Sequence, residues 1–234
     1  MPDKQHAILS ASSSYRWLAC PPSALECAKR PDTTNDFARE GTDAHTLCEY
    51  KVKKALGRKA QNPTGTLDYY SEEMAECTDD YAQFVMERLA EAKKECKDPI
   101  VLVEQRLDFS KWVPDGFGTG DCVIVADDTL TVIDYKHGLG VEVSAEKNPQ
   151  MMCYALGALD LFDGIYDIQR GLHDHLPAET GERQHMYPVQ GGAAPMGRNG
   201  AEAYRRTGGE GRRRVQGWRP LPFLQDQGDL PQEG

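Results

Sequence analysis

The chain has 234 residues, a formal net charge of −10, and 39% hydrophobic and 27% charged residues. This balance is typical of a globular protein with a core, and the length fits one domain plus a tail. No apolar run is long enough for a membrane span or resembles a signal peptide, so we predict a cytoplasmic protein without a membrane partner.

The acidic balance argues against a protein that coats nucleic acid. It does not exclude a nuclease, because a metal site concentrates carboxylates and its bound cations change the local electrostatic field.

Three helical segments are predicted in the first hundred residues. Residues 12–29 form a short helix broken at Pro21-Pro22, and residues 42–56 form a second helix that ends at Gly57. Residues 73–96 form a long amphipathic helix, because apolar residues recur there at helical spacing. We interpret that apolar stripe as core and assign it no chemistry.

The period then changes to that of strands. Residues 100–107 alternate as a strand, and residues 121–126 and 130–135 form a hairpin across the turn at Asp127-Asp128. Residues 141–143 are a candidate for a further short strand. A helix begins at Asn148-Pro149, with Asn as its cap, and runs to about residue 161. This order predicts an α/β fold with a mixed sheet flanked by helices.

The residues that carry chemistry fall in three spaced motifs: Gly118-x-x-Asp121, Asp134-x-Lys136 and Gln150-x-x-x-Tyr154. Antiparallel pairing brings Asp121 and Asp134 to the same end of the sheet, and Lys136 shares a strand face with Asp134. Two carboxylates with a lysine suit a hard cation such as Mg²⁺. A solvated hairpin with a loop lysine remains the alternative, as do a core tyrosine and a helix-start glutamine for the third motif.

The order of these motifs resembles the PD-(D/E)XK nucleases of the RecB-like branch, which includes CRISPR-associated and AddB-like nucleases with an iron–sulfur cluster. The segment Gly41-Thr42-Asp43-Ala44-His45 resembles the early helical histidine of that branch, and the resemblance covers residues 8–165. It implies a restriction-endonuclease-like core and exonuclease-like hydrolysis of DNA with Mg²⁺ or Mn²⁺. The pattern also resembles phage-encoded proteins of unassigned function, which implies DNA processing in a phage or mobile element. It does not specify a helicase or recombination partner.

The resemblance also implies roles for individual residues. The implied ligands of a divalent metal are His45, Asp121, Asp134 and the Tyr135 carbonyl, with Glu104 as an accessory carboxylate. Lys136 is implied to be the catalytic lysine, and Gln150 and Tyr154 to support the site or contact the DNA. For His45, a partly buried histidine beside Glu49 at helical spacing remains the alternative.

Cys20 lies in an N-terminal segment that resembles the cluster-bearing nucleases, where one early cysteine joins three late ones around a [4Fe–4S] centre. No cysteine follows Cys153 in this chain. We therefore do not expect a complete cluster, although Cys20 stays a candidate ligand by resemblance.

The composition changes near residue 168. From Gln169 onward there are 12 Gly, 9 Arg and 6 Pro but no Lys, Ile or Cys. We predict a nuclease-like domain over residues 1–168, C-terminally incomplete, and a disordered tail over residues 169–234, because the tail has little apolar surface to bury. The abrupt change also fits the hypothesis that the tail is frame-shifted sequence. Two rivals to an active nuclease stay open: a non-catalytic DNA-binding or scaffold protein, and an inactive truncated remnant.

Overall fold

The computed structural model describes residues 7–30, 35–137, 148–177 and 184–189. Beyond residue 171 it describes the backbone alone. Helices come first, then three strands, a further helix and two more strands. The sheet has five strands in the order β1-β2-β3-β4-β5. The predicted α/β fold with a mixed sheet flanked by helices is confirmed.

Two short helices follow a single 3₁₀ turn, Ala11–Ser13, at the start of the described chain. They are α1 (Ser14–Ala19) and α2 (Pro22–Ala28), and they are separated at Cys20 and Pro21, as the proline pair predicted. Trp17 anchors this region, since its ring is buried and its Nε1 donates to the carbonyl of Ser10 at 2.9 Å.

Two long helices cover one face of the sheet. They are α3 (Asp36–Ala55) and α4 (Glu72–Glu95). Asn35 caps α3 by accepting from the amide of Ala38 at 2.8 Å, and Ser71 caps α4 by accepting from the amide of Met74 at 3.0 Å. The capped start lies six residues before the predicted start of α3, because the first turns of this helix bury no apolar side chain that could mark it.

The strands are β1 (Ile100–Asp108), β2 (Phe117–Ala126), β3 (Thr129–Lys136), β4 (Arg170–Pro177) and β5 (Gln184–Val189). The β2–β3 hairpin turns at Asp127, whose φ of 48° is left-handed. β1 pairs with β2 and β4 with β5 antiparallel, whereas β3 and β4 are parallel. β2 begins at Phe117, so Asp121 lies within the strand. The prediction that the strand begins at Asp121 was wrong.

The crossover from β3 to β4 contains α5 (Pro149–Phe162), which lies on the other face of the sheet. Asn148 caps it as predicted, accepting from the amides of Gln150 and Met151 at 2.9 and 3.3 Å. The core therefore has two parts, one on each face of the sheet. Buried side chains of α3 and α4 pack on one face, and those of α1, α2 and α5 pack on the other.

Two segments of the predicted tail are strands, which corrects the expectation of disorder there. Residues 170–177 pair with β3 and residues 184–189 pair with β4. Such pairing satisfies backbone groups whatever the side chains are, so composition did not reveal it. The rest of the tail, and the candidate strand at 141–143, lie outside the described residues. Among the described helices, none is both long and apolar enough to cross a membrane.

Candidate metal centre

Helix α3 places His45 beside the sheet. Its neighbours Ala44 and Cys48 are buried against α4 and the strands, which fixes the turn of helix that carries His45. The imidazole is one-third exposed, and its Nδ1 lies 3.2 Å from Oδ1 of Asp121 on β2. An imidazole and a carboxylate therefore meet at a surface that solvent can reach.

Glu104 completes this group from the edge strand β1. Its φ is 51°, in the left-handed region that a non-glycine residue rarely occupies. The flanking pairs Val103–Cys122 and Gln105–Gly120 place it opposite Asp121. Ligand atoms of His45, Glu104 and Asp121 all lie within 4.8 Å of one another. We call these three residues the metal triad. Strained backbone at such a point is typical of functional sites.

The electrostatics of the triad favour positive charge at this point, either a proton on His45 or a cation. Burial lowers the pKa of His45, but the charge of Asp121 and the hydrogen bond with it outweigh burial and raise this pKa to about 9. Burial and, after it, the nearby charge of Asp121 together raise the pKa of Glu104 to about 7. The carboxylates of Glu104 and Asp121 lie close enough to repel each other, and a divalent cation between them would relieve that repulsion.

The donor set fits a divalent metal. Carboxylate oxygens suit Mg²⁺ and Mn²⁺, and an imidazole is accepted by the transition metals. The structure thus contains a group of two carboxylates and a histidine that could hold a divalent metal, as the sequence led us to expect.

A polar network lies on the α5 side of the same strands. Asp134 is 2% exposed, and its Oδ2 lies 2.7 Å from Nζ of Lys136. Gln150 on α5 binds both groups: its Oε1 accepts from Lys136 Nζ at 3.2 Å, and its Nε2 donates to Asp134 Oδ1 at 3.1 Å. The same Nε2 lies 3.2 Å from the hydroxyl of Tyr154. Burial keeps this hydroxyl neutral, because it raises the pKa of Tyr154 well above its usual range.

One backbone hydrogen bond joins the network to the triad. The amide of Tyr135 donates to Oδ2 of Asp121 at 2.7 Å. The Tyr135 side chain lies on the α3 side, where its ring meets the His45 ring edge-on at a centroid distance of 5.8 Å. Asp121 is therefore held from both sides, by an imidazole and by the strand that carries Asp134 and Lys136.

The structure brings together all the sequence-derived candidates except Cys20. The triad contains His45, Asp121 and the accessory Glu104, whereas Asp134 lies in the network with Lys136, Gln150 and Tyr154. Cys20 is exposed at the C-cap of α1.

Sequence reasoning missed His137 and Glu40. His137 Nδ1 lies 3.1 Å from the Tyr135 hydroxyl, and its Nε2 lies 3.5 Å from a carboxylate oxygen of Glu40. Its position directly after Lys136 was the available signal, but spacing alone does not show that α3 reaches it.

The comparisons assign a family but no activity. Residues 6–171 match a family described as "Protein of unknown function (DUF2800)". The chain belongs to the DUF2800 family. A solved structure titled "Crystal structure of SSO0001" is 12% identical with a TM-score of 0.25, over 61% of this chain and 75% of that one. At this TM-score the likeness has no bearing on function.

Proposed function

We propose that this DUF2800 chain is a metal-dependent DNA nuclease with a PD-(D/E)XK type of site. The observation that carries the proposal is the 2.7 Å hydrogen bond from the Tyr135 amide to Asp121, which ties the metal triad to the strand with Asp134 and Lys136. Groups of carboxylates and histidines are common in proteins. A group that adjoins a lysine held by a buried carboxylate is suited to phosphodiester hydrolysis.

The triad residues would hold the cation, with Asp134 and the Tyr135 carbonyl proposed as further ligands. When bound, the cation polarises the phosphate and lowers the pKa of a bound water.

The chain's own residues would do the remaining work. Lys136 Nζ is held at 2.7 Å by Asp134 while its side chain is 37% exposed, so the ammonium can meet a phosphate from solvent. There it would stabilise the negative charge that develops in the transition state. Gln150 would keep Lys136 and Asp134 aligned through its two hydrogen bonds. A role in DNA processing of a phage or mobile element rests on the resemblance of the motifs alone.

The test uses Asp134→Asn and Lys136→Ala with linear DNA and Mg²⁺ or Mn²⁺. Each variant should fold, and each should lose orders of magnitude in cleavage rate, because each removes a group that acts on transition-state charge. A matched control is the exposed Glu26–Lys29 pair, whose charged atoms lie 2.6 Å apart. Glu26→Gln and Lys29→Ala should cleave as the parent does. Undiminished cleavage by both site variants would contradict the proposal.

A further inference from the structure

A second pair of side chains lies on the two strands that carry Glu104 and Asp121, outside the metal triad. The guanidinium carbon of Arg106 on β1 lies 3.7 Å from the ring centroid of Phe117, which begins β2. Arg106 is exposed and Phe117 is half-buried. At this distance the guanidinium lies against the ring, which favours a cation–π contact.

The pair faces the same side of the sheet as His45. A Cβ on Gly118 would lie 2.8 Å from Tyr154, and one on Gly120 would lie 2.8 Å from Leu107, so both point to the α5 side. Because neighbouring residues of a strand alternate, Phe117 points to the α3 side. Leu107 belongs to the core on the α5 side, so Arg106 points away from it, towards the α3 side as well.

Arg106 is an exposed cation on the same strand as Glu104 of the triad. Among the described residues, no carboxylate lies within ion-pair distance of its guanidinium, although the chain has a net charge of −10. It follows Glu104 by two residues on β1, so the two Cα atoms lie at most about 7 Å apart.

We propose that the Arg106–Phe117 pair binds one nucleotide of a single DNA strand next to the metal centre. This deepens the proposed nuclease function and rests on it. The ring holds one face of the guanidinium, so its N–H donors are oriented for a backbone phosphate. The outer face of the guanidinium is open for an unpaired base to stack. The substrate class is therefore DNA with a single-stranded segment at the site.

The experiment measures binding of the full chain to fluorescein-labelled oligo(dT) and to a blunt duplex, with Ca²⁺ in place of Mg²⁺. Arg106→Ala should weaken oligo(dT) binding by about tenfold and lower the salt dependence by about one phosphate contact. Arg106→Lys should restore only part of the affinity, because it keeps the charge but loses the planar donors. Phe117→Leu should weaken oligo(dT) more than duplex binding.

The matched control is Arg170→Ala, which removes the same charge at the other end of the sheet. There the backbone of Arg170 lies opposite that of Thr129. It should leave oligo(dT) affinity within about twofold, since exposed charges this far away are screened. All variants should bind Mn²⁺ as the parent does in calorimetry, because the triad is intact.

Three outcomes separate the two proposals. If the parent cleaves DNA but Arg106→Ala binds oligo(dT) as the control does and loses only thermal stability, the pair is structural and the inference is wrong. If Arg106→Ala loses oligo(dT) binding but the parent cleaves no DNA, the nucleotide site stands and the nuclease proposal fails. If the parent binds no DNA, both fail.

Discussion

Gln150 is the residue on which the polar network depends. It is 8% exposed, and its amide meets a carboxylate, an ammonium and a phenol at once. A buried polar group is expensive to leave without a partner, and removal of Gln150 would affect Asp134 and Tyr154 together.

Gln150→Leu should therefore lower the free energy of unfolding by about 1–3 kcal/mol. The matched control is Gln83→Leu, because Gln83 is exposed and donates to Glu87 at 3.0 Å on the surface of α4. That change should stay within about 0.5 kcal/mol. Urea unfolding of both variants is the measurement, and equal stability of the two would show that the network contributes nothing.

The cysteines should divide by burial when they are tested with a thiol reagent. Cys20 and Cys27 are exposed, whereas Cys48, Cys96, Cys122 and Cys153 are buried. Cys77 is partly buried, and burial raises the pKa of its thiol, so we expect it to react slowly. Burial raises the pKa of Cys122 and of Cys153 to about 12, so little thiolate forms at pH 8.

In the native protein we expect two fast-reacting thiols, and in denaturant all seven. The fast phase should disappear in the Cys20→Ser, Cys27→Ser double variant. Rapid labelling of the four buried residues in the folded chain would show that the core on either face is open.

One glycine allows α5 to approach the sheet. A Cβ on Gly157 would lie 2.9 Å from Leu107 Cβ, 3.1 Å from its carbonyl carbon and 3.2 Å from the Asp108 amide nitrogen. Two of these atoms are backbone of β1 and cannot move aside without disturbing the strand. The close contact in turn holds Gln150 and Tyr154 over the network.

Gly157→Ala should therefore destabilise the fold by about 1–3 kcal/mol through overpacking. Gly41→Ala is the control of opposite sign, because Gly41 lies within α3 with nothing within 4 Å of an added Cβ. It should stabilise by up to about 1 kcal/mol, as alanine favours a helix. Urea midpoints decide between them, and a stabilised Gly157→Ala protein would contradict the packing.

Sequence patterns predicted the elements better than the faces that their residues occupy. The hairpin, the cap at Asn148 and the helix after it were predicted because turn and capping residues act locally. The side-chain alternation of β1 changes phase at Glu104: Val101 packs on the α3 side, but Leu107 packs on the α5 side. A left-handed φ causes this change, and a lone glutamate in a strand gives no signal of it. Glu104 was consequently only an accessory candidate, although the structure places it in the triad.

The candidate site lies where separate parts of the chain converge. His45 comes from α3, Glu104 and Asp121 from neighbouring strands, and Gln150 from the crossover helix. Such long-range convergence could be predicted only through the resemblance of the motifs, because no single segment contains it. The sequence did not predict β4 and β5, because a change in composition carries no information about backbone pairing.

A metal that binds the folded chain should raise its melting temperature, and this tests the triad independently of any nuclease activity. Only the fold brings His45, Glu104 and Asp121 within 4.8 Å of one another, so the unfolded chain lacks the site. A Mn²⁺ concentration about 100 times the dissociation constant adds about 2.7 kcal/mol. For a chain of this size, that corresponds to a rise of roughly 5–10 °C in the melting temperature.

EDTA should reverse this rise, and His45→Ala or Asp121→Asn should abolish it, whereas the exposed-surface variant Glu26→Gln should keep it. Should both triad variants still show the full shift in a thermal scan, the ion binds elsewhere and the triad is not its site.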